Sequence, residues 1–165
     1  ITVAVNNTKT NYLGVIGTKT TISSQAYVKK IHAINKKIIV YSKECPLFVP
    51  IIEEGLENNN ITSDLVKLYL NPMIELNIDT LILGCTHYPI IKDQLASILP
   101  KQIKFITSGR PTGIALKKYL SENNQINYEG KGITHFYVSD AAEKFKHLGS
   151  KFLNNDINNI QLVQL

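Results

Sequence analysis

The residues with most chemistry per position lie in one stretch, Asp79-Thr80-Leu81-Ile82-Leu83-Gly84-Cys85-Thr86-His87-Tyr88-Pro89. An apolar run stops at Gly84, and a thiol, a hydroxyl and an imidazole follow at once. Pro89 suits the first turn of a helix. The pattern reads as a strand, a tight loop and a helix N-terminus. A cysteine held there meets the positive end of a helix dipole and unpaired backbone N–H groups, and both favour the thiolate. The carboxyl ends of strands are also where open α/β sheets bind ligands. His87 is too near Cys85 in sequence to grip it as in a protease-like dyad, so it is read as reaching a substrate group or proton-bearing atom across the loop.

Two further segments are candidates. Gly17-Thr18-Lys19-Thr20-Thr21 follows an apolar run and opens a helical pattern. Thr18 and Thr21, with the helix N-terminus, suit an anionic group such as a carboxylate. A plain Thr-rich cap explains the same residues. The spacing is not that of a P-loop or GxGxxG fingerprint, so nucleotide phosphate is not indicated. The third segment runs from Cys45-Pro46 to Glu53-Glu54-Gly55. Pro46 and apolar residues follow Cys45 and mark it as packing. Glu53, in an apolar segment, reads first as an ordinary exposed helix acid and second as a site acid. His32, His135 and His147 have no sequence partners and are taken as structural, His135 within a strand.

These loops need a frame. Strands are expected at 12–16, 37–42, 80–83, 103–106, 133–138 and 160–163. Helices are expected at 21–34, 48–57, 64–76, 90–99, 112–120 and 141–153, the third capped by Thr62 or Ser63 and kinked at Pro72. Strand–helix alternation implies an α/β fold with a parallel sheet and helices on both faces. The expected boundary lies near residue 104. Residues 1–104 form a three-layer α/β/α domain, and 105–165 the remnant of a second α/β domain with three short strands and two helices.

The chain has 165 residues, 44% hydrophobic and 19% charged, which is a soluble globular composition. No apolar run approaches the roughly 18 residues of a membrane span, and Thr8, Lys9 and Asn11 interrupt any signal peptide. The net charge of +5 is spread along the chain, without long basic runs or interleaved aromatics, so nucleic acid is not an expected partner. Cys45 and Cys85 lack metal-ligand spacing, which argues against zinc and for reduced thiols in the cytoplasm. The chain begins at Ile1 rather than Met, which is read as processing, truncation or a fragment.

Together, Gly14-Val15-Ile16-Gly17-Thr18 with Thr21, Cys45-Pro46-Leu47-Phe48-Val49-Pro50-Ile51-Ile52-Glu53 and Leu81-Ile82-Leu83-Gly84-Cys85-Thr86-His87-Tyr88-Pro89 resemble glutamate racemase, of the cofactor-independent aspartate/glutamate racemase superfamily. Weaker echoes continue at Thr107-Ser108-Gly109 and at 136–152. The likeness covers nearly the whole chain but begins partway into the family. The family's N-terminal segment, with its Cys-Asn-Thr motif and first catalytic cysteine, has no counterpart here.

The resemblance implies a bacterial isomerase that interconverts L- and D-glutamate for peptidoglycan, cell-wall biogenesis and cell shape. It implies no cofactor. Without an electron sink, racemisation needs two acid/base groups on opposite faces of Cα. In the family these are two cysteines. By resemblance Cys85 is the second of them and His87 assists it, while Thr86, His87, Thr18, Thr21 and Glu53 bind substrate or line the cleft. Glutamate is then the small-molecule partner, alongside a homodimer or the missing N-terminal segment. A single such thiol implies that this chain alone is inactive. A bared apolar surface after residue 104 implies marginal stability. The alternatives are a related aspartate or amino-acid racemase and a non-catalytic binding module of the same fold.

Overall fold

The computed structural model describes residues 1–129 and 132–164. A short helix, α1 (Thr2–Asn7), precedes the first strand, β1 (Tyr12–Gly17). Two helices follow, α2 (Lys19–Ser23) and α3 (Ala26–Ile34), then β2 (Ile39–Glu44), α4 (Phe48–Glu53) and α5 (Asn60–Ile74). Next come β3 (Thr80–Leu83), a 3-10 turn (Tyr88–Ile91), α6 (Lys92–Ile98) and β4 (Lys104–Ile106). The chain continues through α7 (Gly109–Glu122), β5 (Phe136–Val138), α8 (Ala142–Leu153) and β6 (Ile160–Leu162).

β1 to β4 form one parallel sheet in the order β2-β1-β3-β4. Its faces are separated by the alternation of side chains along a strand. Ile16, Leu81 and Leu83 point into a core with Phe48, Ile52, Val66, Leu70, Ile91 and Leu95, from α4, α5 and the segment after β3. Leu13, Val15 and Ile82 point the other way, onto Ala4 of α1 and Ile31 of α3. The chain leaves β1 for β2 on one side and returns to β3 on the other. The crevice at such a switch point opens above the carboxyl ends of β1 and β3.

Several expectations are corrected. The helix expected at 21–34 is two helices, because Gln25 adopts left-handed backbone (φ 56°) between them. The helix expected to reach residue 57 stops at Glu53, and Gly55 turns the chain at φ 72°. The next helix starts earlier than expected, at Asn60, capped by Asn59 Oδ1 accepting from the Ile61 amide at 3.0 Å. Thr62 and Ser63 are not caps: the Thr62 hydroxyl donates to the Leu56 carbonyl at 2.7 Å, and that of Ser63 to Gln94 Oε1 at 3.2 Å. That helix runs through Pro72. A 3-10 turn replaces the start of the helix expected from residue 90. α1 was not anticipated. The strand expected at 133–138 forms only from Phe136, which leaves His135 outside it and stacked on Tyr137 at 6.5 Å between ring centroids.

β4 pairs with β3 and so belongs to the first sheet. The strand was expected to open the second part of the chain. The first compact unit runs to Leu116, and the second comprises Lys117–Leu165. In that unit β5 and β6 form a two-stranded parallel sheet with α8 beside β6. Among the described residues its buried apolar side chains are Val138 and Ile157, with the Phe136 and Phe145 rings 5.8 Å apart. Among the described residues no helix is long and apolar enough to cross a membrane, and no cluster of three or more metal-ligating side chains occurs.

Candidate functional site

The strand ends are fixed to each other by backbone bonds that continue the ladders into the loops. The Gly84 amide donates to the Ile16 carbonyl at 2.7 Å, and the Cys45 amide to the Gly17 carbonyl at 2.9 Å. Gly84 has to be glycine there. A Cβ would lie 2.7 Å from the Ile16 carbonyl oxygen and 3.2 Å from the Tyr27 ring. The strand ends at a point of close backbone approach, and Cys85 is the first residue free of it.

From Cys85 the chain turns tightly, with the Tyr88 amide donating to the Cys85 carbonyl at 3.3 Å. The turn folds His87 back, so the expectation that it cannot grip the thiol needs correcting: Nδ1 lies 3.9 Å from Cys85 Sγ. Thr86 Oγ1 approaches the same nitrogen at 3.4 Å. The other ring nitrogen, Nε2, pairs with Glu53 Oε1 at 3.3 Å, each side chain about a quarter exposed (25% and 28%). Glu53 arrives from the last turn of α4, distant in sequence. A thiol, an imidazole and a carboxylate thus stand in line, half-open to solvent. An imidazole so placed can take the thiol's proton and hold it against the carboxylate, or return it.

Tyr88 sets the distance across this line. It is fully buried. Its hydroxyl donates to the Cys45 carbonyl at 3.0 Å, and its ring meets Phe48 edge-on at 5.4 Å between centroids. The loop bearing Cys85 is therefore tied to the loop that launches α4 and Glu53. Burial pushes the Tyr88 phenol well above its usual range, with Cys45, Cys85 and Tyr69 adding to the effect. It stays protonated and keeps donating.

The two thiols differ as their contexts suggest. Cys45 is buried, and burial pushes it up to about 12, which Lys43 offsets only in part and Glu44 reinforces. Cys85 is partly exposed. Thr18 and Thr21 sit at the end of β1, beside β3. The Thr18 hydroxyl caps α2, accepting from the Thr21 amide at 3.4 Å, and the two hydroxyls lie 3.1 Å apart. Among the described residues no hydrogen bond joins this pair to Cys85 or Thr86. Of the other histidines, His32 Nε2 lies 3.0 Å from the Ile38 carbonyl. Tyr27, over Gly84, had no signal in the sequence: an aromatic at helical spacing from Ile31 looks like core.

Comparison with known proteins follows the same lines. No family model matches the chain. A glutamate racemase from Persephonella marina is 40% identical over 157 residues, which are 95% of this chain and 58% of that protein. The solved structure of glutamate racemase from Francisella tularensis in complex with D-glutamate is 40% identical, with TM-score 0.90 over 99% of this chain and 62% of that one. A glutamate racemase isoform from Bacillus anthracis gives TM-score 0.91 at 31% identity over 99% of this chain and 61% of that one. The chain spans about three fifths of the length of the relatives it matches. Over the three fifths of those proteins that it spans, the chain is similar to glutamate racemases along nearly its whole length.

Proposed function

We propose that this chain carries one half of the proton-transfer machinery of a cofactor-independent glutamate racemase, an isomerase that supplies D-glutamate for peptidoglycan in the cytoplasm of a bacterium. Cys85 is one of two proton carriers at Cα. His87 moves or holds its proton, and Glu53 steadies the imidazolium. Thr86, Thr18 and Thr21 present hydroxyls to the substrate's carboxylates. The observation that carries the reading is the line Cys85–His87–Glu53 at the carboxyl end of a parallel sheet. The similarity to a racemase solved with D-glutamate supports glutamate as the substrate class.

Racemisation needs a group on each face of Cα, and only Cys85 of the two thiols is open to a substrate. The second carrier is a thiol on another segment, in the same polypeptide or a partner, and a homodimer is one way to provide it. The chain alone is expected to bind glutamate weakly and to turn none over. Circular dichroism of D-glutamate with the isolated chain tests this; turnover lost in Cys85→Ala would refute the single-thiol reading. The site itself is tested by iodoacetamide labelling with peptide mapping. Cys85 should be alkylated, with Cys45 untouched in its buried position. D-glutamate should protect Cys85 better than D-aspartate does. Equal protection by the two would favour a racemase for another acid.

A further inference from the structure

The loop bearing Cys85 has a neighbour that the proposed mechanism does not use. Tyr27 stands in the first turn of α3, just after the left-handed break at Gln25, and its ring belongs to the apolar cluster around Ile31, Leu13 and Val15. The far end of the ring, not its root, reaches Gly84. Cε2 and Cζ lie 3.2 and 3.5 Å from where a Gly84 side chain would begin. Cζ carries the hydroxyl, so the polar tip of the phenol stands at the residue before Cys85. That hydroxyl has no hydrogen-bond partner among the described residues. The ring is anchored by packing and its donor is unspent.

We propose that Tyr27 is a positioning residue for Cys85, its ring clamping the Gly84–Cys85 backbone against the end of β1 and its hydroxyl offering a hydrogen bond to the thiolate, directly or through one water. This rests on the reading of Cys85 as a proton carrier and deepens it. Hydrogen bonding to the charged form of an acid favours that form. A phenol suits the task only if it keeps its proton, and burial, then the neighbouring Cys85 thiol, hold Tyr27 above its usual range. The other titratable groups facing Cys85 are His87 on its own loop, with Glu53 behind it, and Tyr88 in the following turn. None of them lies on α3, so Tyr27 can be varied without touching them.

The experiment is the pH dependence of Cys85 alkylation by iodoacetamide in the full chain, followed by peptide mapping, with thermal melting in parallel. Tyr27→Phe keeps the ring and removes the donor. Its rate curve should move to higher pH, so that labelling at pH 7 slows roughly three- to tenfold while the melting temperature holds. Incorporating 3-fluorotyrosine at position 27 makes the phenol a stronger donor of nearly the same shape and should move the curve to lower pH. Curves for both variants that superimpose on the parent's would overturn the proposal, even if the melting temperature changed. An unreactive Cys85 in the parent chain would sink the proton-carrier reading as well, whereas a reactive Cys85 with unmoved curves would sink the role of Tyr27 alone.

Discussion

At Gly84 a single methyl group would meet a backbone oxygen on one side and an aromatic ring on the other. The ring can swing away, but the Ile16 carbonyl is fixed in the sheet. Gly84→Ala should therefore cost about 1–3 kcal/mol, as overpacking does, and should shift the loop that carries Cys85. Calorimetry reads the first effect and the alkylation rate of Cys85 the second; an alanine variant unchanged in both would show that the backbone yields freely there. Tyr88 tests the opposite kind of defect. Tyr88→Phe keeps the ring on Phe48 and deletes the donor to the Cys45 carbonyl, which keeps the Phe48 amide at 3.3 Å. A loss of about 1 kcal/mol is expected by denaturant titration. Such residues differ in how far the sequence exposes them. Cys85, Thr86 and His87 are contiguous after a strand, so their types mark a candidate site. Glu53 joins His87 across the fold, and its neighbours in sequence left its role open until the family likeness was weighed. Tyr27 turns the tip of its ring to Gly84 and packs its body in the core, and a residue pattern records only the body.

The secondary-structure elements were most legible where burial alone decides them. β1 and β3 are sealed on both faces, so their apolar runs left little choice. Boundaries were less legible, because hydroxyls and amides compete for the same backbone groups. The start of α5 is an example. Asn59, not Thr62, accepts from the free amides, since Thr62 is fully buried and already donates to Leu56. Asp79 shows the same competition used as a fastening. It accepts from the Lys9 and Thr10 amides at 2.6 and 2.8 Å and from the Thr80 hydroxyl at 2.9 Å, holding the loop before β1 to the start of β3. Partial burial raises its pKa, but these donors outweigh that and bring it from 3.8 down to about 2. A carboxyl lowered on folding stabilises the fold above its unfolded value, and the contribution fades as pH falls from near 4 through about 2. With solvent screening the contribution is about 1 kcal/mol. Asp79→Asn should lose that amount at pH 7 and show a flatter stability profile between pH 4 and pH 2 than the parent; parallel profiles would remove Asp79 from the account.

The two sheets are unequal in what they bury, and this sets how each unit of the chain holds together. In the unit Ile1–Leu116 both faces of a four-stranded sheet are covered, and β1 is enclosed almost along its length. In Lys117–Leu165 the two short parallel strands pair only with each other among the described residues, and Tyr137 and Leu162 stand 62% exposed. Parallel pairs need cover on both faces, and two strands with so small a core do not supply the roughly 3–5 kcal/mol that even small domains reach. The short strands led to the expectation of a three-stranded remnant over 105–165, whereas the unit Lys117–Leu165 holds β5 and β6 and β4 pairs with the first sheet, since three residues carry no pattern that says which neighbour they pair with. Opening should therefore be graded. Amides of β5 and β6 are expected to exchange at least about a hundredfold faster than those of β1 and β3, because they need only local opening while the first sheet needs global unfolding. Hydrogen exchange read by mass spectrometry separates the two peptides sets cleanly. Equal protection in both sheets would mean that the second unit draws stability from contacts beyond its own few buried side chains, and the division of the chain into a firm site-bearing unit and a loose one would fall.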